Sequence, residues 1–195
     1  MSKREVNDGF NCLKPLDPAW LESKRLRLTA PLKGEFPPAD LPRLSENVVA
    51  IHQPVQWQLT PDPDLPTMGH PRPRWWLAVN ASLSVMCERC LEPMPVQISA
   101  TRGFEFMASA AQADLETEQW LLSEDPDPSL AAVDFLAPED GLSLRDLVED
   151  EIFLSLPPSP KHQVCQPPAS AASEPEPETV RPFADLQALL KKPSK

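Results

Sequence analysis

The chain has 195 residues, 41% of them hydrophobic, and its 26 prolines far outnumber its 5 glycines. This composition supports one modest core and argues against two compact domains, because proline removes a backbone donor and favours loops and linkers. The net charge of −11 excludes a dominant basic surface of the kind that binds DNA, since phosphates are bound by clustered Lys and Arg.

The N-terminal part of the chain predicts a lead-in followed by short helices. Residues 1–15 show no clear periodicity and predict a flexible N-terminus. The Asp-Pro pair at residues 17–18 is typical of a helix start, with Asp as N-cap and Pro at the first helical position. A second short helical turn is predicted over Asp40–Glu46, where two leucines share one face. We expect a single domain over residues 16–160.

Three long strands with apolar residues at every second position follow. They are predicted over 49–59, 76–86 and 96–106, with a proline-rich connection at 61–74 and a hairpin turn at 87–95. The fold class is therefore predicted as α+β. We expect an antiparallel β-sheet, open or curled towards a barrel, with a few flanking helices and proline-rich disordered segments.

Residues 114–151 form an acidic segment with thirteen acidic residues and one basic residue, so the rest of the chain is nearly neutral. Such a segment could attract a basic protein, or it could be a solvated loop without a partner. Charge alone leaves both interpretations open. A short strand is predicted inside the segment at Trp120–Leu122.

A second clear helix is predicted to begin at Ser143, where Ser followed by Asp three residues later resembles a capping box. Its apolar residues recur at helical spacing, and prolines at 157–158 end it. Three consecutive acids, Glu149, Asp150 and Glu151, point in different directions on a helix. That geometry favours a solvated face over an acid/base pair.

Residues 161–195 predict a proline-rich tail, because Pro, Ala, Ser and Glu cannot bury enough apolar surface to become ordered. An amphipathic pattern after Pro182 predicts a short helix at its end. The sequence shows no secretory signal and no apolar run that could span a membrane. We therefore expect a cytoplasmic protein with reduced cysteines and no membrane partner.

The sharpest local signal is the C-E-R-C motif of Cys87 and Cys90, placed where a strand enters a hairpin. Two thiolates with this spacing on a tight turn can face one cation, as in a zinc knuckle. His162 and Cys165 could complete a structural zinc site of four ligands. The alternative is that the cysteines are ordinary strand-end residues and that the second pair lies in a disordered segment.

Catalytic patterns are missing from the sequence. It contains no G-x-S-x-G, P-loop, H-E-x-x-H or glycine-rich dinucleotide turn, so we expect no catalytic residues. A basic rim with aromatic residues could contact RNA, although core packing with a solvated strand end is the favoured alternative. The rim would contain Arg72, Arg74, Arg89, Arg102, Trp75 and Trp76.

Three stretches carry a family resemblance. Residues 84–93, S-V-M-C-E-R-C-L-E-P, are similar to a strand and C-x-R-C-L-x-P hairpin. Residues 144–162, with L-V-E-D-E-I and then L-P-P-S-P-K-H, are similar to a second motif, and R-P-F-A-D-L at 181–186 to a third. In this order they resemble the YceD family of large ribosomal RNA subunit accumulation proteins. Arg181 stands where the family usually has Asn.

The resemblance implies a ribosome-biogenesis factor needed for the accumulation of 23S ribosomal RNA, through its synthesis, processing or protection. We expect a non-enzymatic interaction protein that binds a large-subunit ribosomal protein or assembly factor. Arg89, Glu149, Asp150 and Glu151 are the candidate binding residues. The alternatives are direct binding of precursor 23S rRNA and zinc-dependent RNA processing.

Overall fold

The structure, a computed structural model, describes the following residues of the chain: 5–6, 10–11, 13–14, 16–17, 31–62, 74–107, 109–124, 130–137 and 141–168. The helix predicted to start at 17–18, most of the proline-rich connection at 61–74, and the helix predicted after Pro182 lie outside these residues.

The described elements are eight strands, one 3-10 turn and three helices. In chain order they are β1 (Glu5–Val6), β2 (Phe10–Asn11), β3 (Leu32–Phe36), a 3-10 turn (Pro38–Asp40), α1 (Pro42–Asn47), β4 (Ala50–Ile51), β5 (Val55–Pro61), β6 (Arg74–Met86), β7 (Pro93–Phe106), α2 (Ala110–Leu122), β8 (Val133–Leu136) and α3 (Leu144–Ser155). Among these, no helix has the length and apolar character to cross a membrane.

The main sheet has the strand order β3-β5-β6-β7-β8, with β4 also paired to β6. The α+β prediction is confirmed, but the sheet is mixed, because β8 runs parallel to β7 while the other pairs are antiparallel. A parallel pair needs a crossover connection, and α2 lies in it. Over the described residues the sheet is open, with β3 and β8 at its ends, and it does not close into a barrel.

Alternation along the strands builds the core, as predicted. On β6 the buried hydrophobic side chains are every second residue, and those at Leu77 and Val79 lie opposite buried side chains of β5. The pairs include Trp57 with Val79 and Leu59 with Leu77. The strand predicted over 49–59 is divided into β4 and β5. Pro54 lies in the gap, as expected of a residue that cannot donate to a ladder.

Two predicted helices are confirmed. Leu44 in α1 and Leu41, the N-cap residue of this helix, are both fully buried. In α3 the predicted capping box is present: Ser143 accepts from the Asp146 backbone, and the Asp146 carboxylate accepts from the Ser143 backbone. The apolar face of α3 packs against β6 and β7, which places the helix across the sheet.

The strand predicted at Trp120–Leu122 is wrong, because these residues are the last turn of α2. The run of Ala, Gln, Glu and Leu before them consists of good helix formers. Ser109 starts the helix, since its hydroxyl accepts the Gln112 N–H. Three adjacent apolar residues have neither a helical nor a strand periodicity by themselves. The residues before them favour a helix, which continues through Trp120–Leu122.

Replacing Asp146 by alanine should lower the free energy of unfolding by about 1 kcal/mol at neutral pH. The carboxylate accepts the Ser143 N–H at 2.9 Å and the Ser143 hydroxyl at 2.6 Å. Burial raises the pKa of Asp146, but these bonds and Arg145 outweigh burial and hold the pKa below its ordinary 3.8. The stability that the Asp146 carboxylate contributes is therefore complete above its pKa in the unfolded state. It is lost as the pH falls through its pKa in the folded state.

Urea unfolding of wild type and variant at pH 7 and at about pH 3 measures this difference. The difference in the free energy of unfolding between wild type and Asp146→Ala should be smaller in acid. Ser155→Ala, at an exposed position of the same helix, is the control and should leave the free energy of unfolding almost unchanged at either pH. A gap of equal size at both pH values would contradict the assigned role of the carboxylate.

Candidate metal centre

Cys87 directly follows β6, where the chain turns into β7. The Leu91 N–H donates to the Cys87 carbonyl at 2.9 Å, and the Cys87 N–H donates to the Glu92 carbonyl at 2.9 Å. Leu91 has a φ of 60°, an uncommon value for a residue with a Cβ, and it closes the turn. This tight geometry holds Cys87 and Cys90 near each other at the end of the sheet.

The segment after α3 returns to the same turn. The Glu88 N–H donates to the Pro160 carbonyl at 2.9 Å, and the Ser159 hydroxyl donates to the Glu88 carboxylate. The His162 N–H points at the Cys87 sulfur at 3.4 Å. The two halves of the predicted site, about seventy residues apart in the chain, are therefore joined by hydrogen bonds of the backbone as well as by side chains.

The four predicted ligands come together in space. Cys87 Sγ lies 3.8 Å from Cys165 Sγ, and Cys90 Sγ lies 3.3 Å from His162 Nδ1. All four ligand atoms lie within 4.8 Å of one another. A tetrahedral zinc ion with Zn–S bonds of about 2.3 Å and Zn–N bonds of about 2.0 Å sets its ligand atoms roughly 3.5–3.8 Å apart. The residues fit such an ion, and the three cysteines are free thiols.

The electrostatics of the thiols favour a bound cation. Burial raises the pKa of Cys87, but the N–H groups of Cys90, His162 and Arg89 lower it more, to about 5. Burial raises the pKa of Cys165 as well, and the neighbouring Cys87 and Cys90 sulfurs raise it further. The Cys87 thiolate thus forms readily, and its charge makes ionisation of the neighbouring Cys165 thiol less favourable. A cation between the sulfurs would remove this repulsion.

The predicted basic rim is not assembled among the described residues. Arg89 is exposed beside the metal-ligand cluster and donates to the Cys165 carbonyl at 3.4 Å. Arg102 and Arg74 lie towards the opposite end of the β6–β7 hairpin, roughly 30 Å and roughly 40 Å from the turn along the strands. Arg74 forms ion pairs with Glu105 and with Asp62, and Trp75 is buried. Arg72 is outside the described residues.

The three consecutive acids of α3 do not form one solvated face, which corrects that expectation. Glu149 is fully buried and its Oε1 accepts the Leu44 N–H at 2.9 Å. Glu151 is 4% exposed, with Oε1 3.6 Å from Nε of Arg102. Only the Asp150 side chain is well exposed, and it pairs with Arg43 at 2.6 Å.

The inward position of Glu151 had a signal in the sequence. It follows Leu144 by seven residues and Leu147 by four, so it lies on the apolar face of the helix. Burial raises the pKa of its carboxyl group, and Arg102 lowers it by less. Glu149 lies off that face. Its hydrogen bond with the Leu44 N–H of α1 could not be predicted from neighbouring residues, because the two partners are about a hundred residues apart in the sequence.

A comparison with protein families gives one match. The model of the family described as large ribosomal RNA subunit accumulation protein YceD matches residues 77–190, more than half of the chain. No curated protein and no solved structure is significantly similar. The matched range contains the C-E-R-C hairpin, the acidic segment and the H-x-x-C pair. The chain therefore belongs to the YceD family.

Proposed function

We propose that the chain is a cytoplasmic ribosome-biogenesis factor needed for the accumulation of 23S ribosomal RNA, acting as an interaction protein without catalysis. The observation that carries this proposal is the family match over residues 77–190. The family description names large ribosomal RNA subunit accumulation. The matched range also contains the metal-ligand cluster and the acidic segment. We therefore propose a role for each of these two features within the function of the protein.

The proposed role of the cluster is a structural zinc site of Cys87, Cys90, His162 and Cys165. Four protein ligands leave no open coordination position for water or substrate, which is the arrangement of a structural site and not of a catalytic one. The support is that the four ligand atoms lie within 4.8 Å. The ion would hold the chain after α3 against the β6–β7 turn.

The proposed role of the acidic segment is to bind a basic large-subunit ribosomal protein or assembly factor. Because Glu149 and Glu151 are buried, the exposed acids available to a partner lie elsewhere, as at Asp114 and Glu118 on α2. Arg89 and Asp150 are exposed at two other places and remain candidate contacts. An acidic surface attracts a basic protein over several ångströms and repels RNA phosphate.

Purification of the tagged protein from cell extract tests the function. We expect it to bring down large-subunit precursor particles or basic proteins of the large subunit, and depletion of the protein should lower 23S rRNA. Recovery of neither particles nor such proteins would overturn the proposal. A gel shift at two salt concentrations tests the alternative of direct rRNA binding, which requires an affinity that falls steeply with salt.

Incubation of the purified protein with precursor 23S rRNA, with and without zinc, tests for catalysis. The interaction-protein proposal requires the RNA to remain unchanged in both cases. Cleavage that depends on zinc would replace it with an RNA-processing enzyme.

A further inference from the structure

Among the residues that the structure describes, helix α2 packs along one side and has exposed leucines elsewhere on its surface. Of the elements that the structure describes, α2 makes its main contacts with β8, and Ala113 is its buried residue. Leu115, Leu121 and Leu122 are 51%, 67% and 75% exposed. Leaving half or more of a leucine side chain in water forgoes the free energy of burying its apolar surface. A group of such leucines on one helix therefore points to a partner that covers them.

Leu115 and Leu122 lie on the same side of α2. They are seven residues apart, which is two helical turns and about 10 Å along the axis. Leu115 is about 200° round the helix from Ala113, so the pair faces away from the side that packs. This spacing matches the i and i+7 anchors by which one amphipathic helix recognises another.

The charge around this pair has one sign. Asp114 and Glu118 are exposed, and each is within four residues of one of the two leucines. The helix Ala110–Leu122 contains no Lys or Arg. A ligand for this surface therefore needs an apolar stripe for the leucines and positive charge beside it. RNA would offer phosphate to the same carboxylates and be repelled.

We propose that the open face of α2, formed by Leu115 and Leu122 with Asp114 and Glu118, binds an amphipathic helix with Lys and Arg beside its apolar stripe, belonging to a partner protein. This proposal rests on the proposed function, because it names the surface through which the acidic segment receives a basic large-subunit protein. The leucines supply the apolar contact and the carboxylates select for positive charge.

Co-sedimentation of the full-length protein with precursor particles from cell extract tests the surface. The double variant Leu115→Gln/Leu122→Gln should weaken association at least about tenfold. The variant Asp114→Asn/Glu118→Gln should weaken it and reduce its dependence on salt. Leu154→Gln is the matched control, since Leu154 is 69% exposed on α3, and it should associate like wild type.

The chemistry of the occupant is tested by benzoylphenylalanine introduced at position 115, followed by irradiation in cells. The cross-linked peptide should carry Lys or Arg together with apolar residues at helical spacing. Cross-linking to RNA or to an acidic peptide would refute the proposed occupant. If the leucine variant sediments like wild type, the surface is refuted and the proposed function survives. If wild type itself sediments with no particle, both fail.

Discussion

Cys87→Ser should abolish zinc binding and lower the free energy of unfolding by about 4 kcal/mol, the linkage expected when zinc is present at a thousand times its dissociation constant. The cluster joins the β6–β7 turn to the chain after α3. Cys87 lies in the turn and contacts both ligands of the other segment: its Sγ is 3.8 Å from Cys165 Sγ and 3.4 Å from the His162 backbone nitrogen. Burial raises the pKa of Cys165, so this thiol is neutral at pH 7 when no ion is bound.

Elemental analysis of purified protein measures the metal, and urea unfolding measures the stability. Wild type should hold one equivalent of zinc and Cys87→Ser none. Cys12→Ser is the matched control, because Cys12 is the one cysteine of the sequence that is not among the proposed ligands, and this variant should keep both metal and stability. Less than about a tenth of an equivalent of any metal in wild type would remove the zinc proposal.

A chelator separates loss of the ion from the cost of a buried hydroxyl at position 87. It should lower the stability of wild type and of Cys12→Ser but leave that of Cys87→Ser unchanged. Release of the ion should also expose the segment at 157–168 to protease, because among the described residues it is then held to the turn by a few hydrogen bonds to residues 87–90. Equal chelator sensitivity of all three proteins would contradict the site.

The second large effect is expected for Glu149→Ala, which should lower the free energy of unfolding by about 3 kcal/mol. Glu149 is fully buried, and its Oε1 accepts the Leu44 N–H of α1 at 2.9 Å. Alanine removes the acceptor and leaves a buried N–H without a partner, together with a cavity. Oε2 has no hydrogen-bond partner among the described residues, so the carboxylate is held by this one oxygen.

Two control variants separate the hydrogen bond from charge and from helix propensity. Glu149→Gln keeps an oxygen acceptor and should cost about 1 kcal/mol or less. Asp150→Ala removes the exposed pair with Arg43 and should cost between about 0 and 1 kcal/mol. Urea unfolding of the three variants gives the comparison. If Glu149→Ala costs no more than Asp150→Ala, the hydrogen bond from the Leu44 N–H to Glu149 does not stabilise the fold.

The elements that local pattern controls could be predicted from the sequence. Alternation on β6 and the capping box at Ser143 depend on neighbours within a few residues, and both are present. The strand predicted at Trp120–Leu122 was wrong because three apolar residues have no period. The parallel strand β8 was also missed, since the direction of an edge strand depends on the crossover before it and not on its own residues.

For the metal-ligand cluster, spacing within each pair was enough to name Cys87, Cys90, His162 and Cys165. Their approach to within 4.8 Å was decided by the tertiary structure, because the hydrogen bonds that bring the two segments together, such as the one from the Glu88 N–H to the Pro160 carbonyl, join residues about seventy positions apart. Such contacts carry no local sequence signal, whereas the ligand types and their two-residue intervals do.

For the acidic residues, too, one part could be predicted from the sequence and another part depends on the tertiary structure. The sequence by itself determined that negative charge is concentrated in residues 114–151 and which side chains could bind a cation. Only the tertiary structure decided which acids face water, because burial depends on what packs over a helix. Packing of α3 on the sheet and of α1 on α3 turns Glu149 and Glu151 inward, while α2 touches β8 on one side and leaves Asp114 and Glu118 in solvent.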